Sequence, residues 1–91
     1  MKIAYKIIVQ GKVQGVGYRW FTLQIAQQLN IKGYVKNLDN GDVEIFAQGD
    51  EASIHEMLVQ LRKGPSFSNV TNIAILDVDI DHNLNQFKVT H

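Results

Sequence analysis

Three glycines, a lysine and an arginine fall within eleven residues, GKVQGVGYRWF, Gly11 to Phe21, before the chain turns aromatic. Glycines ahead of a helix let consecutive backbone N–H groups point inward at one anion. The helix N-terminus adds unpaired N–H donors and a partial positive charge. Arg19, at the mouth of that helix, carries a planar fork that suits two phosphate oxygens at once. The chemistry on offer is the binding of a phosphate or a similar oxyanion. The same spacing also suits a hinge, in which the glycines only turn a strand into a helix and Arg19 makes a surface salt bridge. Two known phosphate loops are excluded. Trp20 stands where a dinucleotide fingerprint needs its third glycine, and no Gly-Lys-Ser/Thr follows for a Walker loop.

The elements around this loop must position it. Ile3 to Val9 alternates loosely and is rich in Ile and Val, which predicts a buried strand. Phe21, Ile25 and Leu29, with Ala26 beside them, form the stripe of an amphipathic helix from near Arg19 to near Asn30. Ile31 to Leu38 reads as a second strand. Asn40-Gly41 predicts a type I′ hairpin turn into a third strand, Asp42 to Gln48, whose Val43, Ile45 and Ala47 share a face. Asp50 is placed to cap a second helix carrying Ile54, Met57, Leu58 and Leu61, which stops at Gly64-Pro65. Val70 to Ile80 and Gln86 to Thr90 read as a fourth strand and a short last one. This order predicts an α+β fold, the ferredoxin-like split βαβ arrangement, with two helices packed on one face of an antiparallel sheet. Strands one and two then run the same way with one strand between them. Their C-terminal ends lie about 10 Å apart at one edge of the sheet. The Gly11 to Arg19 loop and the region around Asn37 converge there.

Composition narrows the class. Ninety-one residues predict a single domain over 1–91, and an apolar share of 45% is ordinary for one globular core. The absence of cysteine removes disulfides, thiolate metal sites and cysteine nucleophiles, and favours a reducing, cytoplasmic setting. Lys6 interrupts the apolar N-terminal run, which reads as neither signal peptide nor membrane span. A formal net charge of zero argues against partners held by bulk charge, so neither nucleic acid nor membrane is expected. Nothing in the sequence calls for more than a monomer.

GKVQGVGYRWF, taken with GYVKNLDNGDVEIFAQG, Gly33 to Gly49, resembles the acylphosphatases, small enzymes that hydrolyse the carboxyl–phosphate anhydride. The family pattern is Gly-x-Val-Gln-Gly-Val-x-Phe-Arg, here with Tyr18 in the phenylalanine place. The second block is Gly-x-Val-x-Asn, an acidic-glycine turn and a strand ending in glycine. The resemblance spans essentially the whole chain, Gly64-Pro65 included, and implies the same ferredoxin-like fold. It further implies that Arg19 binds the phosphoryl group and that the backbone N–H groups of Gln14, Gly15, Val16, Gly17, Tyr18 and Arg19 line a cradle. Asn37 would hold the attacking water, where spacing alone reads it as a polar residue ending a strand. The implied substrate is an acyl phosphate, the product inorganic phosphate, and no cofactor or metal is called for. Tyr18 is expected to pack its ring and leave its hydroxyl at the rim. Lys12 and Lys36 are candidates for attracting the anion.

Other signals lead elsewhere. Asp77, Asp79 and Asp81 mimic the start of a calcium loop, but His82 and Lys88 stand where glycine and glutamate belong. They read as the solvated side of a strand. His55, His82 and His91 are too scattered for a metal motif, and His55 reads as a surface residue. Trp20 reads as a core or edge residue of its helix. Lys32-Gly33-Tyr34 resembles the start of an RNA-recognition motif, yet it lies on the second strand and lacks the small-aromatic continuation. A closer alternative is a domain that binds carbamoyl phosphate or a similar anion within a maturation factor.

Overall fold

A computed structural model describes all 91 residues. The elements are β1 (Lys2–Lys12), α1 (Tyr18–Gln28), β2 (Lys32–Asn37), β3 (Val43–Asp50), α2 (Glu51–Lys63), β4 (Asn69–Asp77) and β5 (Phe87–Thr90). The sheet order is β4-β1-β3-β2-β5. Both helices cover one face of it, as the split βαβ reading requires. Three pairings are antiparallel, whereas β5 runs parallel to β2 through Gly33↔Phe87 and Val35↔Val89. The sheet is therefore mixed rather than antiparallel. β5 reaches the free edge of β2 after a long return from β4, so its direction follows from that path and not from a hairpin.

Alternation decides which side of the sheet is dry. Ile7, Val9, Val35, Val43, Ile45 and Ala47 point toward the helices and are fully buried. They meet Ile25 and Ala26 of α1 and Ile54, Met57 and Leu61 of α2. Each large apolar side chain so buried contributes about 1.5–3 kcal/mol relative to exposure. The hydrophobic stripe of α1 is narrower than predicted, because Phe21 and Leu29 are only half-buried while Thr22 is fully buried. The Thr22 hydroxyl is satisfied by donating to the Tyr18 carbonyl at 2.9 Å.

Local details differ from the sequence reading in instructive ways. The β2–β3 hairpin closes with a Leu38 N–H bond to the Asp42 carbonyl at 2.8 Å, and the Gly41 N–H donates to the Leu38 carbonyl at 3.2 Å. Only Gly41 of the loop has a positive φ, 96°, so this is a three-residue turn with a left-handed glycine and not a type I′ turn. Asn40 supports it by accepting the Asp42 N–H on Oδ1 at 3.0 Å. Asp50 occupies the N-cap of α2 but makes no side-chain cap bond. It pairs with Lys2 at 3.3 Å instead. β4 stops at Asp77, short of Ile80, and the return segment is pinned by Gln48, whose amide exchanges two bonds with the Asp81 backbone, both 2.9 Å. Asp77, Asp79, Asp81 and His55 are exposed, as expected.

Candidate active site

β1 and β2 both run antiparallel to β3, which lies between them, so their C-terminal ends share one edge. From that edge the chain after β1 loops through residues 13–17 and enters α1. Gly15 and Gly17 take φ of 74° and 78°, where a side chain would be strained although space is open. Gly17 is the N-cap of α1, with no side-chain cap and no acidic residue in the first turn. The first N–H groups of the helix therefore have no competing acceptor of their own. They stand beside a cavity of about 460 Å³ lined by Gly15, Gly17, Tyr18, Arg19 and Asn37, and by a set of apolar side chains beyond them.

Arg19 is half-buried and held from one end only. Its Nη1 donates to the Thr90 carbonyl at 3.1 Å and reaches His91 Nδ1 at 3.1 Å. Neither salt bridge in the molecule involves it, so its charge is not neutralised by a carboxylate. No acidic side chain lines the cavity. Asn37 ends β2 on the face that looks toward the helices, and its Oδ1 is buried with no donor of the chain to satisfy it. A buried, unsatisfied acceptor costs about 1–3 kcal/mol. That makes it a receiver for an O–H or N–H brought by a ligand.

The remaining predicted site residues divide. Gly15, Gly17, Tyr18 and Arg19 line the cavity, while the side chains of Gln14 and Val16 do not. Val16 packs against the core. The Gln14 amide donates to the carbonyls of Leu38 and Asp42, both at 2.8 Å, and so ties the loop to the hairpin that carries Asn37. Nothing in the sequence marks that bridge, because it joins positions 24 and 28 residues apart. The Tyr18 hydroxyl is not at the rim. It is buried, donating to the Leu61 carbonyl at 2.7 Å, and burial pushes its acidity well above the ordinary range. Trp20 is not a core residue, being 62% exposed at the cavity wall. Lys12 and Lys36 lie outside the cavity. Lys36 faces the open side of the sheet, paired with Glu44 at 3.6 Å and 5.8 Å above the Tyr34 ring.

This is an α+β protein in which a glycine-flanked helix N-terminus, an arginine with no carboxylate partner and an unsatisfied amide oxygen share one cavity. The family follows directly: the family model described as Acylphosphatase matches residues 5–89, and the chain belongs to that family. It is 42% identical over 83 residues to an acylphosphatase of Chlorobaculum tepidum, covering 91% of this chain and 90% of that protein. The crystal structure of the acylphosphatase from Bacillus subtilis superposes with a TM-score of 0.94 at 36% identity over the full length of both chains. Full-length HypF, solved in a phosphate- and nucleotide-bound form, contains a similar unit at a TM-score of 0.89 and 30% identity, covering all of this chain but 12% of HypF. Family and fold together support acyl phosphate hydrolysis as the activity. No helix is long and apolar enough to cross a membrane.

Proposed function

We propose that the chain hydrolyses acyl phosphates without a metal, using Arg19 and the 14–19 backbone to bind the phosphoryl group and Asn37 to hold the attacking water. The observation that carries this reading is the buried, unpartnered Oδ1 of Asn37 in the same cavity as the uncompensated Arg19. A water that donates one O–H to Oδ1 keeps its lone pairs free to face phosphorus. As its oxygen bonds to phosphorus, the bond from phosphorus to the acyl oxygen breaks and its electron pair leaves on the carboxylate. Both water protons end on the phosphate, giving carboxylate and dihydrogen phosphate. A carboxylic acid has a pKa of about 4, so this leaving group needs no general acid. The transition state is loose, with charge spread over the equatorial oxygens. Positioning and fixed positive dipoles then carry the catalysis. Arg19 and the open N–H groups of α1 are the donors placed to do that.

The competing reading is an anion-binding unit of the kind embedded in HypF. The higher identity to the Chlorobaculum tepidum acylphosphatase, 42% against 30% for HypF, favours hydrolysis over it. The deciding experiment measures benzoyl phosphate hydrolysis in EDTA by wild type, Arg19→Ala and Asn37→Ala, with circular dichroism to establish folding. Arg19→Ala is expected to lose about two to three orders of magnitude or more in kcat. Asn37→Ala is expected to lose kcat while inhibition by inorganic phosphate stays near wild type. Near-normal turnover in folded Arg19→Ala, or a wild type that needs a divalent ion, overturns the proposal.

A further inference from the structure

The cavity does not end at the phosphate cradle. α1 carries Trp20, Leu23 and Gln27 along one side, at i, i+3 and i+7, and these face the same space as Phe87 and Val89 of β5. Six of the eleven lining residues are apolar, and Arg19 is the single charged one. Trp20 is 62% exposed and Val89 36% exposed, so the wall keeps apolar surface open beside the polar end of the cavity. The volume, about 460 Å³, exceeds what a phosphoryl group alone occupies and falls within the range of pockets that hold small organic ligands.

Resting on the hydrolase reading above, we infer that the Trp20, Leu23, Phe87 and Val89 wall is the acyl-group subsite. It selects acyl phosphates with an apolar, aryl-sized acyl group over those that bear a second negative charge. The cradle fixes the phosphorus near Gly15, Gly17 and Arg19, so the acyl group must leave in the direction that the rest of the cavity provides. An acetyl group is too short to cover the indole. A benzoyl group lies against Trp20 and Val89 and removes their apolar surface from water. A second carboxylate or phosphate on the acyl group would lose hydration against that wall with no cation to meet it, because the Arg19 fork is occupied by the phosphoryl oxygens.

The test compares kcat/KM for acetyl, benzoyl and succinyl phosphate in wild type, Trp20→Ala, Leu23→Lys and Val59→Ala. Wild type is expected to prefer benzoyl phosphate over both others. Trp20→Ala should lower the benzoyl-to-acetyl ratio about tenfold, mainly through KM, as the loss of a small apolar contact does. Leu23→Lys should raise succinyl phosphate relative to benzoyl phosphate. Val59→Ala, an exposed apolar change on α2 away from the cavity, should leave the ratios as in wild type. Hydrolysis of acetyl phosphate with no preference for benzoyl, or an unchanged ratio in Trp20→Ala, overturns the subsite while the hydrolase reading stands. Hydrolysis of none of the three overturns the hydrolase reading. Calorimetric titration with benzoylphosphonate and acetylphosphonate then decides the wall by itself. Tighter binding of the benzoyl compound that is lost in Trp20→Ala supports it, and equal binding overturns it.

Discussion

Gln14 is the residue through which the two halves of the site hold one another. The carbonyls of Leu38 and Asp42 already accept backbone N–H bonds within the hairpin, and the Gln14 amide adds a second donor to each. Asn37 is the immediate neighbour of Leu38, so the bond that ends there also fixes the distance from Asn37 to the loop of residues 13–17. Gln14→Ala removes both bonds without leaving either carbonyl wholly unpaired. It is expected to cost about 1–2 kcal/mol in a urea melt. It should also lower kcat about tenfold or more, because small misplacements of reacting groups are costly. A Gln14→Ala enzyme with unchanged turnover would show that the hairpin keeps its place unaided. Arg19 lacks such a clamp on its fork: one nitrogen is anchored to Thr90 and His91, and the charge is left for a ligand.

At the scale of elements, one hydroxyl ties the start of α1 to the end of α2. The Leu61 carbonyl lies in the last turn of α2, where the helix supplies no N–H, and Pro65 four residues on has none to give. Tyr18 supplies it at 2.7 Å. Tyr18→Phe should therefore destabilise the fold by about 1–3 kcal/mol, by leaving a buried acceptor unsatisfied. A pH series of denaturant melts checks a second consequence. Because burial raises the folded pKa of Tyr18 above its ordinary 10.0, its stabilisation is complete below pH 10 and is lost as pH rises beyond it. Tyr34, pushed up to about 12 by partial burial and by its bond to Glu44, adds to the same alkaline loss. Tyr18→Phe should show a shallower alkaline decline than wild type. An identical decline would remove Tyr18 as its source.

This contact also marks where the sequence stopped being legible. Periodicity and turn signals found every helix and strand, though not the end of β4, because the stripe Ile54, Met57, Leu58 and Leu61 and the alternation Val43, Ile45 and Ala47 are local patterns. The family motif pointed to Arg19 and Asn37, which line one cavity. What it could not supply was the tertiary partner of a given side chain. Tyr18 turned inward to reach a helix-end carbonyl forty-three positions later, and Trp20 turned outward while Thr22 and Ile25 took the buried stripe. The direction of β5 and the Gln14 bridge are likewise set by neighbours far along the chain.

At the scale of the whole molecule, charge is balanced and its placement matters more than its sum. Neither Lys12 nor Lys36 lines the cavity, and Lys36 is engaged with Glu44 on the opposite face of the sheet. Replacing both by Gln is expected to leave kcat/KM and its dependence on ionic strength within about twofold of wild type, since exposed charges outside the cavity are screened by salt and Lys36 is already paired with Glu44. A loss of salt dependence in the double variant would return these lysines to substrate capture.

The site has a kinetic meaning as well as a chemical one. Its fixing contacts join residues 24, 28 and 71 positions apart, from Gln14 to Leu38, Gln14 to Asp42 and Arg19 to Thr90. Such contacts form only after most of the chain has found its place, because long loops must close first. Return of turnover after dilution from denaturant is thus expected to keep pace with folding of the whole domain, timed by the protein's own chemistry.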